Sequence, residues 1–305
     1  MARCGGVPVP SNLVATDSFP QIRRLEPRDL KRCVALSVDR GWSPERSKWS
    51  LLLAASEVFG VDAPDGQGLA GAVVLTRWGP DLASVGMMLV AARYGRRGLG
   101  RALMEHVIAE AGQATVTLFA TDLGRPLYEK LDFQPVRRNV SFVGEFRPDR
   151  ARAGAPAGPT GFARVATEAD LPAILSADRA AFGADRGRIL SRLPGFADRI
   201  AVLADDPQTG ISGYAAAWRN TPSSTVIGPL VAPDAESAKH LVTDLAAHAH
   251  GTIRLDLDPD RQELPAWADK HGLEPAGRTQ VMARGELTDR GTPDRLFAPI
   301  SVALA

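Results

Sequence analysis

The spacing of apolar positions changes several times along the first half of the chain, and each change predicts an element. Residues 98–111 place Leu99, Ala102, Leu103, His106, Val107 and Ala109 close to a helical period. Residues 69–77 and 82–90 are instead apolar runs, and the turn-rich connection Trp78-Gly79-Pro80-Asp81 between them predicts a hairpin. Further strands are predicted at 21–25, 115–120 and 139–145, and helices at 27–39, within 43–58 and at 125–131. Strand, helices, hairpin, helix, strand, helix, strand is the order of a mixed α/β (α+β) layer, a central sheet flanked by helices.

The second half answers the first. Asp29-Leu30 and Leu36-Ser37-Val38-Asp39-Arg40 are matched by Asp170-Leu171 and Leu175-Ser176-Ala177-Asp178-Arg179. Gly68-Leu69-Ala70-Gly71 is matched by Gly210-Ile211-Ser212-Gly213, and Leu89-Val90-Ala91 by Leu230-Val231-Ala232. Thr115-Val116-Thr117-Leu118 and Phe133-Gln134-Pro135 find counterparts in Thr252-Ile253-Arg254-Leu255 and Leu273-Glu274-Pro275. All pairs keep one order and lie about 140 residues apart, so the chain reads as a duplicated domain. Residues 147–161 have the Pro, Gly, Ala and Arg content of a linker. The expected division is a flexible N-terminus 1–20, a domain 21–146, the linker, a second domain 162–286 and a weakly committed tail 287–305.

Composition narrows the function. The chain has 305 residues, 45% hydrophobic and 23% charged, which excludes wholesale disorder and leaves room for two domains. A net charge of +1 provides no field to recruit nucleic acid or an anionic membrane. Cys4 and Cys33 are the only cysteines, which excludes a disulfide scaffold or a Cys-rich zinc module. His248 and His250 stand two apart on a predicted helix with no third ligand near, so no metal is expected. No apolar run approaches the roughly 20 residues of a membrane span, and the start lacks a secretory apolar region. A soluble, cytoplasmic protein is expected, monomer or homodimer, since tandem lobes can stand in for a dimer partner.

One segment carries chemistry. The strand ending Met88-Leu89-Val90 runs into Ala91-Ala92-Arg93-Tyr94-Gly95-Arg96-Arg97-Gly98-Leu99-Gly100-Arg101, and a helix starts at once. Helix N-termini present unpaired N–H groups and the positive end of the macrodipole, and Gly98 and Gly100 let a ligand approach the backbone. Such a turn suits phosphate or pyrophosphate. It is not a Walker A loop, because no Gly-Lys-Ser/Thr follows, and it lacks the third glycine of the dinucleotide fingerprint.

The stretch resembles the acyl-CoA pyrophosphate loop of the GNAT superfamily of N-acetyltransferases, Arg/Gln-x-x-Gly-x-Gly/Ala after an apolar strand. It departs at the first position, where Gly95 and Arg96 stand as if exchanged. A second motif follows: residues 122–133, with Leu127, Tyr128 and Phe133, resemble the superfamily's A-x-x-L-Tyr-x-x-x-Gly-Phe segment, with Asp132 in place of the glycine. The resemblance covers residues 21–146. It implies two tandem lobes, each a mixed, mostly antiparallel sheet flanked by helices, and acetyl-CoA as co-substrate held by Met88, Leu89, Val90, Arg96, Arg97, Gly98, Leu99, Gly100 and Arg101. It implies further that Tyr128 is the general acid toward the CoA thiolate, and that the strand ending at Val90 splays from its neighbour. The implied acceptor is a primary amine of a small molecule or peptide, with Trp42 as a candidate pocket residue. No acid stands within 84–90, so Asp122, Glu129, Glu57 and a water chain remain open as the base.

The second half lacks both motifs. Leu230-Val231-Ala232 is followed by Pro233-Asp234-Ala235-Glu236, whose carboxylates would repel a pyrophosphate, and the Tyr128 position falls on Ala268. The pattern resembles a tandem-GNAT subgroup with a degenerate second lobe. A pocket between lobes would take the acceptor, with Asp256, Asp258, Asp260 and Glu263 as candidates to meet a cationic amine. The competing reading is a non-catalytic acyl-CoA-binding or regulatory module.

Overall fold

The computed structural model describes residues 21–148, 162–206, 210–288 and 290–304. The predicted N-terminus and all of the predicted linker beyond 148 lie outside the described residues. The first lobe runs β1 (Arg23–Arg24), α1 (Leu30–Asp39), α2 (Arg46–Ala55), β2 (Glu57–Asp62), β3 (Leu69–Arg77), β4 (Leu82–Val90), α3 (Leu99–Ala111), β5 (Thr115–Ala120), α4 (Arg125–Glu129) and β6 (Gln134–Gly144). The second repeats the order with β7 (Phe162–Val165), α5 (Leu171–Phe182), the short α6 (Gly187–Leu190) and α7 (Leu193–Phe196), β8 (Arg199–Asp206), β9 (Gly210–Thr221), β10 (Ser224–Val231), α8 (Ala235–Ala247), β11 (Thr252–Leu257), α9 (Glu263–Lys270) and β12 (Glu274–Arg284). A last strand, β13 (Leu296–Ala298), has no counterpart among the described elements of the first lobe.

The duplication extends to side chains. Arg23 grips Asp29 at 2.7 Å, and Arg164 grips Asp170 at 2.6 Å, at the same step of each lobe. Both aspartates also accept a backbone N–H three residues back, from Glu26 at 3.0 Å and from Thr167 at 2.7 Å, and so fix the entry into α1 and α5.

All thirteen strands among the described residues form one sheet. Its order is β1-β2-β3-β4-β5-β12-β6-β11-β10-β9-β8-β7, with β13 paired to β10 off this path. The lobes have exchanged their closing strands. β12 pairs antiparallel with β5, Gln280 opposite Ala120, while β6 pairs with β11, Val140 opposite Leu257. β6 and β12 then pair with each other along the middle of the molecule. The lobes also share a core, since Ile189, Leu190 and Leu193 of the second are buried among side chains of the first.

Three expectations change. The predicted helical region 43–58 ends at Ala55, and residues from Glu57 form β2. Val58, Phe59, Gly60 and Val61 are all buried, so the segment shows no alternation to mark it as a strand. The closing strand starts at Gln134, five residues before the predicted 139, because its first part pairs with β12. The tail is committed rather than loose: beyond β13, Ile300, Ala303 and Leu304 are 1%, 6% and 1% exposed in the first-lobe core. Their burial comes from a lobe that begins nearly 280 residues earlier in the chain, which no local pattern records.

Candidate active site

The site begins where two strands part. β4 and β5 run parallel and pair from Leu82 opposite Thr115 to Val85 opposite Leu118, and no pairing continues to Val90. On its other side β4 stays paired with β3, with a register shift between Ala72 and Val74 near Met87, whose φ is 48°. The backbone polar groups that Gly86–Val90 turn toward the parted side are therefore available to a ligand's amides.

The following loop places its left-handed residue unexpectedly. Arg96 has φ 60°, whereas Gly95 is extended at φ −61°, a conformation open to any residue. The exchanged order thus puts the non-glycine residue in the strained conformation, at a cost of roughly 1–3 kcal/mol. Gly98, at φ 83°, is the N-cap of α3, and among the described residues no side-chain cap is made at that helix start. The first-turn N–H groups and the positive end of the macrodipole face outward there. Leu99 is buried and anchors the helix start, so only its backbone can serve a ligand. Arg96 is exposed, Arg97 lies 5.7 Å from the Tyr94 ring, and Arg101 pairs with Glu105 at 3.2 Å.

Gly100 marks the meeting point of the three parts. A Cβ placed there would stand 3.5 Å from Leu127 of α4 and 3.7 Å from both Met88 and Val90 of β4, all ordinary contacts. Tyr128 follows Leu127. It is buried, its ring lies 6.1 Å from that of Phe133, and burial pushes its hydroxyl up to about 12. Gly124 lets the ring sit close, since a Cβ there would be 2.9 Å from its edge and 3.2 Å from its hydroxyl. Phe133 donates to the Tyr128 carbonyl at 3.1 Å, and Leu273 to the Ala268 carbonyl at 3.0 Å, which places Ala268 at the Tyr128 step of the second lobe. Asp132, where a glycine is usual, has φ 64°, and its counterpart Gly272 has φ 86°.

The remaining candidates disperse. Glu57 is held by Arg77 at 2.7 Å and Glu129 by Arg125 at 2.6 Å, while Asp122 is exposed. Trp42 is 41% exposed in the turn after α1. Of the four second-lobe acids, Asp256 and Asp258 line a cavity of about 200 Å³ at the lobe junction, with Phe119, Phe182 and Arg137. Asp260 pairs instead with Arg138, and Glu263 with Lys239 at 2.8 Å. Neither Tyr128 nor the Arg96–Arg101 stretch lines this cavity. Cys33 is buried and its thiol is pushed up to about 12 by that burial, so it offers no thiolate. Among the described residues no group of three or more His, Cys, Asp or Glu is placed to hold a metal, and no helix is long and apolar enough to cross a membrane.

The family profiles that the chain matches define its class, an acetyltransferase of the GNAT type. Two family profiles, both described as Acetyltransferase (GNAT) domain, match residues 55–135 and 174–298. The chain belongs to this family as a tandem GNAT N-acetyltransferase. It is 28% identical over 251 residues to the "Uncharacterized N-acetyltransferase YitH" of Bacillus subtilis (strain 168), covering 81% of this chain and 86% of that one. A solved protein of Pyrococcus horikoshii superposes with a TM-score of 0.76 at 19% identity, over 93% of this chain and 95% of that chain. A tandem GNAT protein from the clavulanic acid biosynthesis pathway superposes at 0.64 and 18% identity, over 88% and 99%. At such identities the structural likeness speaks for the fold.

Proposed function

We propose that the chain transfers an acetyl group from acetyl-CoA to a primary amine of a small molecule or peptide, at the first lobe and by direct attack. The observation that carries this reading is the convergence at Gly100, where the parted end of β4, the uncapped start of α3 and the Tyr128 helix meet.

Each part has a task. The backbone of Met88, Leu89 and Val90 pairs with the amides of the pantetheine arm. N–H groups from Arg96 to Arg101 hold the pyrophosphate, and the exposed Arg96 adds charge. Acetyl-CoA, when bound, supplies the activated thioester. Tyr128 stays protonated at neutral pH, because burial disfavours its anion, and its hydroxyl is the proton source for the departing thiolate. The acceptor amine must lose a proton; Glu57 and Glu129 are held by arginines, which leaves the exposed Asp122 or a water chain as the carrier. We further assign residues 21–146 and 162–286 as the two domains, and a cytoplasmic setting.

The test is CoA release against a panel of amines, with Tyr128→Phe beside the parent. The expected result is turnover by the parent and a loss of about 10²-fold or more in kcat in the variant, with acetyl-CoA affinity kept. A parent that binds acetyl-CoA but turns over no amine would favour a binding or regulatory module.

A further inference from the structure

The two lobes carry the same parting of strands, and the chain completes them differently. In the second lobe β10 and β11 pair from Ser224 opposite Thr252 to Ile227 opposite Leu255, the same four steps as in β4 and β5. Beyond that point β10 gains a new neighbour. β13 runs antiparallel to it, with Ala298 opposite Leu230 and Leu296 opposite Val231, and Ala232 donates to the Arg295 carbonyl at 3.0 Å. β9 holds the opposite side of the same residues, Ala215 to Leu230 and Tyr214 to Val231, so β13 occupies the side that β11 leaves. Leu230 and Val231 are the counterparts of Leu89 and Val90.

The helix that follows differs in the same sense. Gly98 offers α3 no side-chain cap, whereas Asp234 caps α8 and accepts the Ser237 N–H at 2.8 Å. A carboxylate oxygen thus already takes a first-turn donor at the step where Gly98, having no side chain, takes none.

We propose that the second lobe carries its own stand-in for acyl-CoA: β13 in the place of the pantetheine arm and the Asp234 carboxylate in the place of the pyrophosphate. The chain consequently binds one acetyl-CoA, in the first lobe. This rests on the reading of the first-lobe site given above. A peptide strand offers β10 the same amide donors and acceptors as a pantetheine arm. Being tethered, it acts at an effective concentration of about millimolar, against which a free ligand must compete. A phosphate approaching Asp234 would in addition meet like charge.

The segment does not stop at the second lobe. Its Pro299 carbonyl packs on Gly228 and its Ala303 carbonyl on Gly86, so closely that a Cβ at either glycine would collide with it. Gly228 and Gly86 are repeat counterparts on β10 and β4. One strap therefore fills the second site and then lies against the strand of the first.

The full-length chain tests the proposal by calorimetric titration with acetyl-CoA and by amide exchange read by mass spectrometry. The expected stoichiometry is one per chain. At about 100 times the dissociation constant, exchange should slow by up to roughly 100-fold over 86–101 and stay unchanged over 228–239 and 294–300. Two equivalents, or slowed exchange over 228–239, would overturn this inference and leave the first-lobe function standing. Binding of none would overturn both.

Discussion

Asn139 donates from Nδ2 to Oγ1 of Thr279 at 3.2 Å, and the two residues are 140 positions apart, the same step of the repeat. They also sit opposite one another in the β6–β12 register. The local twofold axis that relates the lobes therefore passes between them, through strands the lobes have exchanged.

That exchange makes each half depend on the other. Residues 21–146 expressed alone would leave β5 without β12 and β6 without either neighbour, an exposed edge that does not form a stable fold. The expected outcome is no cooperative heat unfolding for that piece, restored by co-expression with 162–305. A soluble, cooperatively folded first half would contradict it.

Gly100→Ala separates ligand need from folding need. The added methyl makes only ordinary contacts within the protein and replaces a glycine in the first turn of a helix. Stability should hold or rise by up to about 1 kcal/mol, while acetyl-CoA affinity should fall by roughly tenfold or more. Urea denaturation and a binding titration on the same preparation read the two effects independently.

The buried ion pair of the second lobe sets a different expectation. Arg186 and Asp178, 2% and 1% exposed at their side chains, pair at 2.5 Å, and the Tyr214 hydroxyl donates to the same carboxylate. Asp178→Ala leaves the guanidinium buried without its counter-charge, at a cost of about 3–5 kcal/mol. Chemical denaturation should show this loss, and an unchanged midpoint would count against it.

Acid stability follows from the paired aspartates. The Arg23 guanidinium holds the Asp29 carboxyl well below the usual carboxylate range, and Arg164 does the same to Asp170. A depressed folded-state value means stability that is present above the unfolded value near 4 and lost as pH falls below it. The Asp29→Asn, Asp170→Asn double variant should be less stable at pH 7 and lose less on going to pH 3. Equal pH slopes for variant and parent would refute this role.

Much of the site is written locally. The run into Val90, the glycines at 98 and 100 and the helix from Leu99 are neighbours in sequence, and chain geometry alone brings them together. Tyr128 follows in a second local motif, and the counterparts some 140 residues apart revealed the duplication. Helical period marked α3, and apolar runs set off by turn residues marked β3 and β4 although both their faces are covered. No such turn sets off β2, since only Ser56 separates it from α2, so Val58 through Val61 read as more helix. Nor could apolar patterning choose neighbours. Whether β12 lies against β5 or β11 depends on which arrangement pairs every backbone group across the junction, a long-range matter of sheet closure. The tail shows the same limit: Ile300, Ala303 and Leu304 are too few to announce an element. They are ordered because Gly86 and Gly228, brought into one sheet by the exchanged strands, leave room for the backbone that carries them.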